Sequence, residues 1–113
     1  FGAASRSYLV QLKGDPSTAV PSAPQSVTAS PASSSSVVLN WNQIAAEYAV
    51  KIERRPESGG TWQQIAELAW DVTSFTDTGL LADTAYEYRV RAWNPAGDSL
   101  FSNTASARTY TSF

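Results

Sequence analysis

The sequence predicts an all-β fold of two packed sheets. Three observations carry that prediction. Apolar and polar residues alternate with period 2 in several short runs. Gly, Pro and Ser clusters separate those runs at regular intervals. No segment carries the 3.6-residue apolar repeat of a helix. The chain has 113 residues, enough for one domain. Its four Trp, five Tyr and four Phe supply large apolar surfaces for a small core.

Taken in order, strands are predicted over 27–29, 37–41, 47–55, 62–69, 74–77, 86–93 and 102–110. In the second, Val37, Leu39 and Trp41 share one face, and Trp41 is read as a core anchor. In the third, Tyr48, Val50 and Ile52 face inward, with Glu47, Lys51, Glu53 and Arg55 on the wetter side. The sixth is the clearest: Tyr86, Tyr88, Val90 and Ala92 alternate with Glu87, Arg89, Arg91 and Trp93. Facing is less clean over 62–69, as expected near a sheet edge. Pro31 with Ser33–Ser36, Gly59-Gly60, and Asn94-Pro95-Ala96-Gly97 read as turns. Seven such strands bury their inner sides by forming two facing antiparallel sheets.

The first twenty residues read as an appendage: 1–20 as a strand and Pro-containing linker, 21–113 as the domain proper. Tyr8, Leu9, Val10 and Leu12, with Gln11 and Lys13, form a short alternating segment. It has three readings: the end of a preceding domain, a strand that pairs with another copy's sheet edge, or one that folds back on its own domain.

Composition narrows the chemistry. The chain has no Cys and no His, so it lacks a thiolate and the usual acid–base group near neutral pH. The net charge of -2 and the absence of a basic stripe argue against nucleic acid. No apolar run reaches the roughly 20 residues of a membrane helix. Glu47, Glu53, Glu57, Glu67, Asp77 and Glu87 are read as solvated charges on strand faces and turns, with no convergent pair for glycoside hydrolysis. Asp71, Asp77, Asp83 and Asp98 lack the spacing of a calcium loop. Arg54, Arg89 and Arg91 are expected along one sheet face beside Glu53 and Glu87, as cross-strand ion pairs. No catalytic residue, metal site or cofactor is predicted.

The residues from about Pro21 to Thr109 resemble a fibronectin type III domain. The resemblance rests on Ala23-Pro24-x-x-Val27-x-Ala29, Val37-x-Leu39-x-Trp41 and Tyr48-x-Val50-x-Ile52-Glu53-Arg54. Trp62-x-x-Ile65-Ala66, Phe75-x-Asp77-x-Gly79-Leu80 and Tyr86-x-Tyr88-Arg89-Val90-x-Ala92-x-Asn94-x-x-Gly97 continue it. It implies a seven-strand immunoglobulin-like sandwich. Its fold-defining residues would be Trp41, Tyr48, Leu81, Tyr86, Tyr88 and Val90. The family's tyrosine corner falls on Tyr86, whose hydroxyl is then expected to bond to backbone near Leu81 or Asp83. The composition looks like bacterial copies attached to secreted and surface proteins, which implies a place outside the cell. No Arg-Gly-Asp follows Trp93, so integrin binding by that route has no support.

Trp70, in a link where a polar residue is usual, and Trp93, in an outward register, depart from the pattern. With Phe101 they form the candidate contact surface. Trp62 matches a family position and is read as packing. The function expected is a non-catalytic spacer or protein-binding module. The alternatives are a filament subunit joined through Tyr8–Leu12, and carbohydrate binding through exposed Trp. Expected partners are neighbouring domains, another protein or copies of the chain itself.

Overall fold

The computed structural model describes residues 20–42, 48–69 and 71–112. The Tyr8–Leu12 segment, Glu47 and Trp70 lie outside these. The described residues hold eight strands: β1 (Thr28–Pro31), β2 (Val37–Asn40), β3 (Ala49–Pro56), β4 (Gln63–Ala69), β5 (Ser74–Asp77), β6 (Ala85–Asn94), β7 (Gly97–Asp98) and β8 (Ala105–Arg108). One sheet has the order β1-β2-β5. The other runs β4-β3-β6-β7, with β8 also on β6, and every pairing is antiparallel. The all-β sandwich predicted from the alternation is the fold observed.

Alternation sets the core directly. Val37 and Leu39 of β2, Val50 and Ile52 of β3, and Tyr88, Val90 and Ala92 of β6 are fully buried between the sheets. Each large apolar side chain removed from water contributes about 1.5–3 kcal/mol. Trp41 is buried at the end of β2, and its indole N–H has no acceptor among the described residues.

Three expectations need correction. Tyr48 lies just outside β3 and is 55% exposed, so it is a surface ring and not a core residue. The Leu81 side chain is 71% exposed; its neighbour Leu80 fills the core, and Leu81 acts through its backbone. The last strand spans only Ala105–Arg108. Before it, the N–H groups of Ser99 and Ser102 donate to the Ala92 and Val90 carbonyls, while their hydroxyls accept from the N–H groups of the same two residues, so side chains supply only the acceptor half of a ladder along this stretch of β6. The untidy facing of β4 falls at a sheet edge, as expected, and a bulge adds to it: Ala66 faces Ile52 and Gln64 faces Glu53, leaving Ile65 as the extra residue.

One side of the sandwich is closed. The Asn103 amide donates to the Val27 carbonyl at 3.0 Å and accepts from the Val27 N–H at 3.2 Å, holding the approach to β1 against the approach to β8. β4 and β5, the outermost strands on the other side, have no further strand beside them among the described residues.

Candidate functional site

Three residues meet inside the core. Arg54 follows Val50 and Ile52 on the inward face of β3, directly opposite Tyr88 of β6. Both reach Asp77 of β5, in the facing sheet. Arg54 Nη1 donates to both carboxylate oxygens at 2.9 Å, and the Tyr88 hydroxyl donates to Oδ2 at 2.7 Å. Asp77 is 4% exposed. It is therefore a buried, fully partnered carboxylate and not the solvated charge expected. Arg54 likewise leaves the sheet face assigned to it and points the other way. Burial, then the hydrogen bond to Asp77, push the Tyr88 hydroxyl far above the usual phenol range. This group is structural: its hydrogen bonds are satisfied internally.

The outward face of the larger sheet is a different surface. Glu53 of β3 lies opposite Arg89 of β6, and Arg55 opposite Glu87, and each pair closes at 2.7–2.8 Å. Lys51 lies opposite Arg91, a repulsive cross-strand pair. Asp98, in β7 opposite Trp93, takes both cations, at 2.9 Å from Lys51 and 3.6 Å from Arg91.

Aromatic rings thread this charge ladder. The Arg89 guanidinium lies 4.4 Å from the centre of the Trp62 ring and 3.7 Å from that of Phe101. Arg55 adds a second cation at 4.5 Å from Trp62, and Arg91 a second at 4.6 Å from Phe101. Beyond Asp98, Lys51 stands 5.7 Å from Trp93, and Trp93 meets Tyr48 edge-to-face at 6.2 Å. The result is one continuous row across the sheet from Trp62 to Tyr48. Trp93 and Phe101, singled out from sequence, are both in it and both half-buried. Trp62, Tyr48 and Asp98 belong to it and were not singled out as contact residues. The signal for the cations was present in the outward parity they share with Trp93; the place of Asp98 depends on the turn.

The two ends of the sandwich differ. Val20 enters beside the β6–β7 turn, where a methyl placed on Gly97 would stand 3.3 Å from Val20 Cγ1. The chain leaves at the opposite end of β6, where Arg108 pairs with Ala85 and Tyr110 N–H donates to Ser33 O. There Tyr86 accepts the Leu81 N–H at 3.0 Å, and buried Thr109 donates to Leu81 O and accepts the Thr84 N–H. Among the described residues no group of three or more His, Cys, Asp or Glu is placed to hold a metal ion, and no helix is long and apolar enough to cross a membrane.

Two sheets of this topology, with a tyrosine tying the 80–84 loop to β6, define an immunoglobulin-like β-sandwich module. Residues 22–108 match the fibronectin type III domain family, and the chain belongs to it. An alpha-amylase of Niallia circulans is 36% identical over 106 residues, covering 90% of this chain and 8% of that protein. A poly(3-hydroxybutyrate) depolymerase of Ralstonia pickettii is 34% identical over 93 residues, 81% of this chain and 17% of that one. Exoglucanase B of Cellulomonas fimi is 34% identical over 106 residues, 85% and 9%. The chain thus spans less than a fifth of each of these relatives. Among solved structures, FN3tt superposes with a TM-score of 0.73 at 28% identity, covering 83% of this chain and 99% of that one. An Fn3-like protein from Clostridium thermocellum gives 0.70 at 27% identity, 84% and 99%. The chain is a non-catalytic module of structural or protein-interaction type, as the family is.

Proposed function

We propose that this module is a stiff spacer in a longer, secreted protein that degrades an insoluble polymer, with neighbouring domains at its two ends. The observation that carries the reading is the placement of entry and exit. They lie at opposite ends of the ten-residue β6, about 30 Å apart at the rise of a strand. A domain threaded end to end holds its neighbours apart. The matches to an amylase, a depolymerase and an exoglucanase supply the context.

Carbohydrate binding has weaker support. Stacking on a sugar needs an open ring face; of the two rings that suggested it, Trp70 lies outside the described residues, and Trp93 has Lys51 5.7 Å from its ring centre and Tyr48 edge-to-face at 6.2 Å. The aromatic row is partnered within the domain.

The chain has no Cys, so labels can be placed at Val20→Cys and Tyr110→Cys without background. A spacer gives one narrow distance distribution near about 30 Å by electron–electron dipolar spectroscopy. It also gives no retention on starch, cellulose or polyhydroxybutyrate. A broad or short distribution overturns the spacer, and retention on one polymer replaces it with a binding module.

A further inference from the structure

We infer that the outer edge of β4 is a docking site for residues 6–13 of a second copy of this chain, which add a strand to the larger sheet. This goes beyond the spacer reading and does not depend on it.

The edge comes first. On the open side of the sandwich β4 is the longer strand, seven residues against four in β5. Past the bulge at Ile65, residues Ala66–Ala69 pair regularly with β3 and have no strand on their outer side among the described residues. Nothing there is proline or lysine; of the usual guards of an open edge, β4 has the bulge, which lies before this stretch, and the single charge of Glu67. Ile65, Ala66 and Leu68 pack against the core yet stay half-buried, so an added strand with an apolar face would complete their cover.

Charge selects the occupant. Every cation among the described residues is in an ion pair: Lys51, Arg54, Arg55, Arg89, Arg91 and Arg108. Glu67 on β4 and Asp71 just after it are exposed and have no ion pair among the described residues; Lys51, opposite Glu67, is held by Asp98. The chain's two remaining cations are Arg6 and Lys13, and they bracket Tyr8–Leu12. By alternation Tyr8, Val10 and Leu12 share one face, with Arg6 at its end, while Leu9, Gln11 and Lys13 fall on the other. A largely apolar segment with a cation near each end therefore matches an edge that carries Glu67 and is followed by Asp71.

Reach favours another copy over the same one. Val20 is fixed beside β7, so the next position beyond β4 is four strand spacings away, about 19 Å. The connector 14–19 spans at most about 20–24 Å when straight. Ala69 lies at the same end as Val20, so a segment running toward Val20 meets its own β4 only in the parallel sense, on a taut connector. A second copy's β4 allows the antiparallel pairing used throughout this sheet. If the exchange is reciprocal it closes a dimer; if not, it propagates.

The test is sedimentation of the intact chain over a concentration series, with amide exchange on the same samples. We expect reversible association, with residues 8–12 protected only in the associated form. Val10→Pro should raise the association midpoint by about tenfold or more, through loss of strand pairing. Glu67→Lys should raise it by roughly threefold, and Lys13→Glu combined with Glu67→Lys should restore it. A chain that stays monomeric throughout overturns the inference. So does protection of residues 8–12 in the monomer, which places the segment on its own domain. Association unmoved by Val10→Pro overturns it as well.

Discussion

The Tyr88 hydroxyl donates to Asp77 at 2.7 Å across the interior of the sandwich, from one sheet to the other. Cores of this kind are joined mainly by non-directional apolar contact, which tolerates sliding of one sheet over the other. A hydrogen bond between sheets, reinforced by Arg54 on the same carboxylate, fixes their relative placement. A stiff module profits from such a fixed point.

Removing members of this group should cost unequally. Tyr88→Phe deletes one hydrogen bond to a carboxylate that Arg54 still holds, and should cost about 1–2 kcal/mol. Asp77→Ala strands a largely buried guanidinium and a buried hydroxyl together, and should cost about 3–4 kcal/mol. Urea unfolding of both variants checks the order. A loss under about 1 kcal/mol for Asp77→Ala would show that Arg54 and Tyr88 find other partners.

Alkaline pH should expose the same contact. The folded state keeps the Tyr88 proton well above the pH at which an unfolded tyrosine, near pKa 10, releases it. The raised folded pKa means the stabilisation is full below about pH 10 and lost as pH rises beyond it, by about 1.4 kcal/mol per unit. The Tyr88→Phe variant lacks this term. Urea midpoints of the two proteins should differ by a constant amount up to about pH 10 and converge above it. Parallel curves through about pH 11 would remove Tyr88 as the titrating group.

The same alternation that makes the strands legible also placed Arg54 and Asp77, had it been followed through the charges. Arg54 shares the parity of Val50 and Ile52, and Asp77 that of Phe75. Reading Asp77 as solvated, and Arg54 as part of the outer ion-paired face, let residue type override position. Other features leave no periodic trace. The bulge at Ile65 depends on how two strands register, and the Ser99 and Ser102 hydroxyls replace backbone partners in a run that looks like strand. The aromatic row was half legible. Outward parity gave Arg89, Arg91 and Trp93, whereas Trp62, Phe101 and Asp98 join from outside β3 and β6 by the paths of connecting segments.

Arg89 should resist the change to lysine. Lysine keeps the charge and loses the flat group that lies between Trp62 and Phe101. Arg89→Lys should cost about 1 kcal/mol, and Phe101→Leu a similar amount. If the contact between them matters, the double variant should lose about 0.5–1 kcal/mol less than the sum. Strict additivity in a double-mutant cycle would mean that the cation and the ring merely lie close together.

The exit end offers a test of what burial does to a lost hydrogen bond. Tyr86→Phe frees the Leu81 N–H on a residue that is largely solvent-exposed, so water can replace the hydroxyl. The loss should be about 1 kcal/mol, with faster exchange of the Leu81 amide and little change elsewhere. Thr109→Val keeps the shape of a buried side chain but removes both its acceptor for the Thr84 N–H and its donor to Leu81 O. Those groups are part-buried, and their partners are harder to replace, so the loss should be about 2–3 kcal/mol. The amides of Leu81, Asp83 and Thr84 should then exchange together, because the hydrogen bonds of the 80–84 loop to the 109–110 backbone depend on where Thr109 sits. Equal losses in the two variants would show that the loop is held mainly by the packing of Leu80 in the core, with its polar contacts secondary.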